Sequence, residues 1–122
     1  MSTTRVRLGV AALLAVFVGL AGPTSGLSEE PQQCGAASWY ALRSRTASGE
    51  MMNPAAMTAA HRTLPFGTRI RVTNHGNGRS VVVTINDRGP FINRRVLDLS
   101  RAAADRLGFR HAGTAEICFE RV

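Results

Sequence analysis

Two aspartates, Asp87 and Asp98, flank a Gly-Pro break in the stretch INDRGPFINRRVLDLS. Carboxyl groups brought to one groove can break a glycosidic bond. One donates a proton to the leaving oxygen, and a second charged group supports the oxocarbenium-like transition state or activates the attacking group. Glu50 in TASGE is a third carboxyl group, and His61 at the end of MTAAH is a fourth titratable candidate. Trp39 and Tyr40 offer flat apolar surfaces of the kind on which sugar rings pack. Each residue also has a plainer local explanation. Asp87 can cap a turn, Asp98 can favour the start of a following helix through the macrodipole, Glu50 can be an exposed loop carboxylate, His61 a hydrogen-bonded structural histidine, and Trp39 a core residue. His75 and His111 stand in turn-like contexts. No metal is expected, because the sequence has no close His or Cys pair at ligand spacing. A serine nucleophile elbow is absent.

The elements that must position these residues are short. ASWYA, from Ala36, and MTAAH, from Met57 to His61, read as strands, with a Ser-, Gly- and Asn-containing loop from Arg43 to Pro54 between them. In Thr68 to Asn74, Ile70 and Val72 alternate with Arg69, Arg71 and Thr73, the signature of a half-buried strand. HGNG supplies a turn, and VVVTIN returns as a central strand, so a hairpin is predicted. RRVLDLS is extended. SRAAADRL reads as a short helix with Ser100 as N-cap and Gly108 as its stop. Ala115, Ile117 and Phe119 alternate with Glu116, Cys118 and Glu120 in a last strand, placing Cys118 on the face away from the core. Some six short strands and one or two helices predict a mainly β fold, a small closed barrel.

Arg5 and Arg7, the uncharged run from Leu8 to Leu20 and AGPTSG have the layout of a secretory signal peptide. We expect a leader at 1–26 (cleavage site open), a short tail at 27–34, and one domain at 35–122. The apolar run is shorter than the roughly 20 residues of a spanning helix, so no stable membrane anchor is expected once the leader is removed. In an oxidising compartment Cys34 and Cys118 are expected to form a disulfide. Pro31, Gln32 and Gln33 before Cys34 argue against lipidation. The chain of 122 residues carries a formal charge of +7 and no lysine. A basic exported domain suits an anionic partner such as wall polymer; nucleic acid is not expected, since no nucleic-acid motif or basic helix is evident.

The segments CGAASWYA, TASGE, MTAAHRTLPFGTRIRVTN, INDRGPF and RVLDLSRAAADRLG, in that order, resemble the rare lipoprotein A family from about Gly35 to Phe119. The resemblance implies a six-stranded double-psi β-barrel, distantly similar to expansins and related endoglucanases. It also implies a lytic transglycosylase acting on the glycan strands of peptidoglycan in the periplasm or cell envelope, with no cofactor and as a monomer. Carried over by position, Glu50, His61 and Asp87 match polar positions the family uses. Asp98 resembles the aspartate that expansins and glucanases place as proton donor. The choice of acid between Asp87 and Asp98 stays open, leaning to Asp87 as donor or as the group that tunes it. Substrate-binding candidates are Trp39, Tyr40, Thr46, Asn53, Asn86 and Arg88. Asn53 stands where the family often has aspartate. With no lipobox and no appended glycan-binding repeat evident, the chain reads as a bare barrel, and a non-catalytic, expansin-like wall-binding module is the alternative.

Overall fold

The alternation of RIRVTN turns Ile70 and Val72 inward and leaves Arg69 and Arg71 exposed. The returning strand buries Val83, Ile85 and Asn86. These two segments are β3 (Arg69–Asn74) and β4 (Ser80–Asp87), and they pair antiparallel from Arg69 opposite Thr84 to Thr73 opposite Ser80, as predicted. The computed structural model describes residues 31–122, so the expected leader lies outside the described residues. The remaining elements are β1 (Gln33–Tyr40), β2 (Thr58–Ala60), β5 (Arg95–Ser100), α1 (Arg101–Leu107) and β6 (Thr114–Arg121). The strands close into one barrel in the order β1-β5-β2-β4-β3-β6. The β1–β5 and β2–β4 pairs are parallel and the other four antiparallel. Mainly β, six strands and closed, this is the expected architecture.

Inward-facing side chains of all six strands, among them Ala37, Ala59, Ile70, Val83, Leu97 and Ile117, fill the interior. Helix α1 covers one side with Ala103, Ala104 and Leu107. Its caps are as predicted. The Ser100 side chain accepts from the Ala103 N–H at 3.2 Å, and Gly108, in the left-handed region at φ 83°, closes the last turn. The hairpin turn completes that end, with Asn74 and Asn77 each donating a side-chain N–H to the Leu107 carbonyl.

β1 begins at Gln33, inside the segment read from sequence as a tail. The tail residues are polar, but β6 offers an unpaired ladder edge, and pairing of Gln33 with Phe119 and Cys34 with Cys118 extends the strand past the hydrophobic pattern. That register sets the cysteines directly opposite each other on the outer face, and they form a disulfide with sequence separation 84. Among the described residues there is no free cysteine and no helix long and apolar enough to cross a membrane.

A closed loop of that length restricts the unfolded chain by about 4 kcal/mol in the chain-entropy account. Replacing both cysteines with serine is therefore expected to lower the free energy of unfolding by up to about that amount. Urea unfolding of oxidised wild type against the double variant measures it, and equal midpoints would show that the bridge adds nothing.

Candidate active site

Strand β2 has three residues, and each of its neighbours carries one of the two aspartates. Ala60 pairs with Asp98 of β5 on one side and with Asp87 of β4 on the other. Two strand spacings separate the aspartates, roughly 10 Å between Cα atoms. Between them Tyr40, at the end of β1, brings its hydroxyl to Asp87 and donates to Oδ2 at 2.8 Å. Burial first, then the hydrogen bond and charge of Asp87, then the charge of Asp98, push the Tyr40 phenol far above its ordinary range. Tyr40 therefore remains a protonated donor lying within the field of both carboxylates.

Both oxygens of Asp87 are engaged inside the protein. Oδ1 accepts the backbone N–H groups of Ala47 at 2.8 Å and Arg88 at 2.9 Å, and Oδ2 accepts Tyr40. The bond to Arg88 N–H is the local turn role expected of Asp87; the other two reach across the fold. Asp98 differs. Its Oδ1 accepts from Ser38 Oγ at 2.8 Å and from the Arg95 guanidinium at 2.6 Å, while Oδ2 accepts no hydrogen bond among the described residues. The Asp98 side chain goes to Ser38 and Arg95, and the helix start is satisfied by the Ser100 side chain and by the Pro54 carbonyl, which accepts the Ala102 N–H at 2.9 Å.

The loop carrying Glu50 is tied to the end of β4. Ser48 N–H donates to the Asn86 carbonyl at 3.3 Å, and Thr46 N–H closes on the Glu50 carbonyl at 2.7 Å. The buried Thr46 hydroxyl donates to the same carbonyl at 2.9 Å, so Thr46 shapes the loop. Asn86 Nδ2 donates to Glu50 Oε1 at 3.1 Å. Glu50, Asn86, Asp87, Tyr40, Asp98 and Ser38 thus run as one continuous polar strip over the outer face of β1, β5, β2 and β4.

Four further predicted site residues lie elsewhere or act indirectly. His61 is buried, with its ring edge-on to Phe119 at 5.5 Å. Its Nδ1 accepts the backbone N–H groups of Thr63 at 3.1 Å and Leu64 at 3.0 Å, which makes it a turn-forming, neutral imidazole. Trp39 points to the opposite face of β1 from Tyr40, packs against the core and donates Nε1–H to the Arg110 carbonyl at 3.0 Å. Asn53 forms an Asx turn, accepting the Ala55 N–H at 2.9 Å. Arg88 donates to the carbonyls of Leu64 at 2.9 Å and His61 at 3.3 Å, and lies 4.0 Å from the Phe66 ring centroid. Sequence reasoning missed Ser38, Arg95 and Phe66. Ser38 meets Asp98 only through the parallel β1–β5 register, which no local pattern announces. No cluster of three or more His, Cys, Asp or Glu suited to a metal occurs among the described residues.

A family model described as "Lytic transglycolase" matches residues 32–119. The chain belongs to the lytic transglycolase family. A protein from Nostoc sp. named probable endolytic peptidoglycan transglycosylase RlpA is 65% identical over 75 residues, which is 62% of this chain and 20% of that protein. An endolytic peptidoglycan transglycosylase RlpA from Neisseria meningitidis is 50% identical over 93 residues, 74% of this chain and 39% of the relative. The chain thus spans well under half the length of these curated relatives. Among solved structures, the Streptomyces papain inhibitor (SPI) superposes with a TM-score of 0.64 at 24% identity, over 75% of this chain and 94% of that one. An expansin from Clavibacter michiganensis gives 0.61 at 25% identity, over 75% and 50%. The barrel is thus shared with proteins of other functions, and family membership is carried by sequence.

Burial, then the charges of Arg88, Arg62 and Arg121, lower the His61 pKa. The unfolded chain therefore binds a proton that the folded chain resists. The contribution is complete above the unfolded value of about 6.5 and is lost as pH falls below it toward the folded pKa. Unfolding midpoints in urea at pH 7.5 and pH 5 are expected to show wild type losing stability on acidification. His61→Asn, whose Oδ1 can accept the same two N–H groups, should show a smaller loss. An unchanged pH dependence in the variant would remove His61 as its source.

Proposed function

We propose that this chain is an exported lytic transglycosylase domain that cleaves peptidoglycan glycan strands between N-acetylmuramic acid and N-acetylglucosamine, leaving 1,6-anhydro ends. The observation that carries the reading is the coincidence of two things. Over the barrel itself the chain is 50–65% identical to proteins named endolytic peptidoglycan transglycosylase, and the outer face of that barrel bears a strip with three carboxyl groups of unequal engagement. The inter-strand disulfide supports an oxidising compartment, hence the periplasm or cell envelope, and the arginine-flanked apolar leader supports export. A single closed barrel needs no second copy to complete the strip.

The bond changes are intramolecular in the sugar. The muramyl C6 oxygen bonds to C1 of the same residue, and the C1–oxygen bond to the neighbouring sugar breaks. A proton passes to the departing oxygen, and the C6 hydroxyl proton returns to the same carboxyl group, so no water is consumed. One acid/base group suffices because the nucleophile is already held by the substrate. Asp98 suits that role: Ser38 and Arg95 fix one oxygen and the other is free to face a ligand. Asp87, with both oxygens engaged, acts as the positioning group that ties Tyr40 and the 46–50 loop to the strip and supplies fixed negative charge near the developing cation. This moves the donor from Asp87, where sequence leaned, to Asp98.

One observation favours a second reading. Asp98 Oδ1 is taken up in a 2.6 Å ion pair with Arg95, a contact that fixes a carboxylate for binding as readily as for catalysis. A non-catalytic, expansin-like module that binds wall polysaccharide would keep the strip and need no acid.

Product analysis separates the two. Stripped peptidoglycan incubated with the protein is expected to yield soluble fragments with anhydro-muramyl ends by mass spectrometry. Asp98→Asn should cut their release about a hundredfold or more. Asp87→Asn should lower release and also thermal stability. Wall co-sedimentation without any anhydro product identifies the binder, and full activity in Asp98→Asn rules out Asp98 as the proton carrier.

A further inference from the structure

Beside Glu50 the strip ends in a cleft of about 360 Å³, lined by Ser48, Glu50, Phe66, Gly67, Thr84 and Asn86. That volume lies within the range of small-ligand sites. Phe66 is 42% exposed, two residues after the buried Leu64. One face of its ring is covered by the Arg88 guanidinium at 4.0 Å, and that guanidinium is itself fixed by the Leu64 and His61 carbonyls. The ring is thus backed on one side by a fixed guanidinium, and Phe66 lines the cleft. Gly67, at φ 91°, adds no side chain next to it.

The polar wall is unfinished. Asn86 is only 7% exposed, and its Oδ1 is buried with no hydrogen-bond partner. Its Nδ2 is committed to Glu50 Oε1, which orients the carboxyl group and leaves Oε2 without a hydrogen bond among the described residues. A buried amide left half satisfied costs stability, and such groups call for an explanation. Here the amide orients a carboxylate acceptor in a cleft that is also lined by an exposed aromatic ring. An acceptor-only group and a flat ring in one cleft suit a ligand with an apolar face and a lateral N–H or O–H donor. A pyranose with equatorial substituents has both.

We propose that this cleft is a sugar subsite for an N-acetylated pyranose residue, whose C–H face lies on Phe66 and whose acetamido N–H donates to Glu50 Oε2. Glu50 is then a binding group rather than a second proton carrier, and Phe66 a specificity-determining residue. The proposal rests on the glycan-strand reading above and assigns one end of the strip to one sugar residue.

The test titrates the full chain with a hexamer of β-1,4-linked N-acetylglucosamine and with cellohexaose, following backbone amide shifts by NMR, and assays anhydro-end release from stripped peptidoglycan in parallel. The N-acetylated hexamer is expected to shift the amides of Ser48, Glu50, Phe66, Gly67 and Asn86, with cellohexaose binding at least several-fold more weakly. Phe66→Leu keeps apolar packing on Arg88 and should melt near the wild-type temperature, yet bind the N-acetylated hexamer about tenfold more weakly. Phe66→Tyr, which restores a flat ring, should recover the binding. In cleavage, Phe66→Leu should raise the glycan concentration needed for half-maximal rate more than it lowers the maximal rate. Wild-type binding by Phe66→Leu, alongside normal anhydro-end release, overturns the subsite and leaves the lytic reading standing. Equal affinity for the two hexamers overturns the acetamido assignment. A wild-type protein that neither binds the hexamer nor releases anhydro ends overturns both proposals.

Discussion

Closure of the barrel hangs on the three residues of β2. A sheet of five strands would leave β4 and β5 with open ladder edges, and β2 satisfies both at once, antiparallel to β5 and parallel to β4. A strand so short has no side-chain area to spare, so it works through its backbone and through small size. Ala59 is fully buried between Leu99 and Ile85, and a larger residue there would push the flanking strands apart. The same constraint fixes the chemistry. Ala60 is the spacer between Asp87 and Asp98, and the Tyr40 phenol reaches Asp87 at 2.8 Å. Barrel closure and carboxylate spacing are one geometric fact, which explains why residues far apart in sequence act together.

The arginines make a related point about charge. A formal +7 with every base an arginine suggests a surface built for an anion. In the fold, several of these side chains serve as internal ties. Arg62 donates to the carbonyls of Pro90, Ile92 and Arg95 at 2.6, 3.2 and 3.0 Å, holding the β4–β5 connection in place. Arg88 does the same for the 61–64 turn. The guanidinium fork can satisfy several carbonyls from one position, which an ammonium on a flexible stem does less well. Loops that must present site residues without regular pairing are thereby fixed. Net charge, read alone, overstates how much of this cationic surface is available to a polymer.

What the sequence disclosed follows from which forces are local. The β3–β4 hairpin, the caps of α1 and the inward phase of β6 were legible because each is written in a single run of residues: alternation, a serine before a helix, a glycine after it. The carboxylates Asp87, Asp98 and Glu50 were legible as candidates because few other residue types could act. Their partners were not legible. Ser38 reaches Asp98, and Tyr40 reaches Asp87, through parallel and crossover pairings whose register depends on closing the barrel, and a β-bulge between Ala36 and Ala37 shifts the β1 phase as well. Adjacent residues in a strand face opposite ways, so Trp39 packs against the core while Tyr40 turns to Asp87. His61 drew attention as a titratable group, whereas its ring nitrogen is spent on two backbone N–H groups.

The division of labour among the carboxyl groups then follows from what each has already spent. An oxygen that accepts two N–H groups, as Asp87 Oδ1 does, is part of the scaffold, and moving it would loosen Ala47, Arg88 and the loop between them. A carboxylate anchored through one oxygen with the other free, as Asp98 and Glu50 are, combines fixed direction with an available lone pair. That combination is what a group needs in order to act on a ligand at little reorganisation cost. Phe91, 79% exposed directly after the Gly89–Pro90 break, stands on the connection from Asp87 toward Asp98. Phe66 stands at the end of the strip by Glu50. The strip therefore has a fixed middle at Asp87, with Glu50 and Asp98 on either side each keeping one oxygen free.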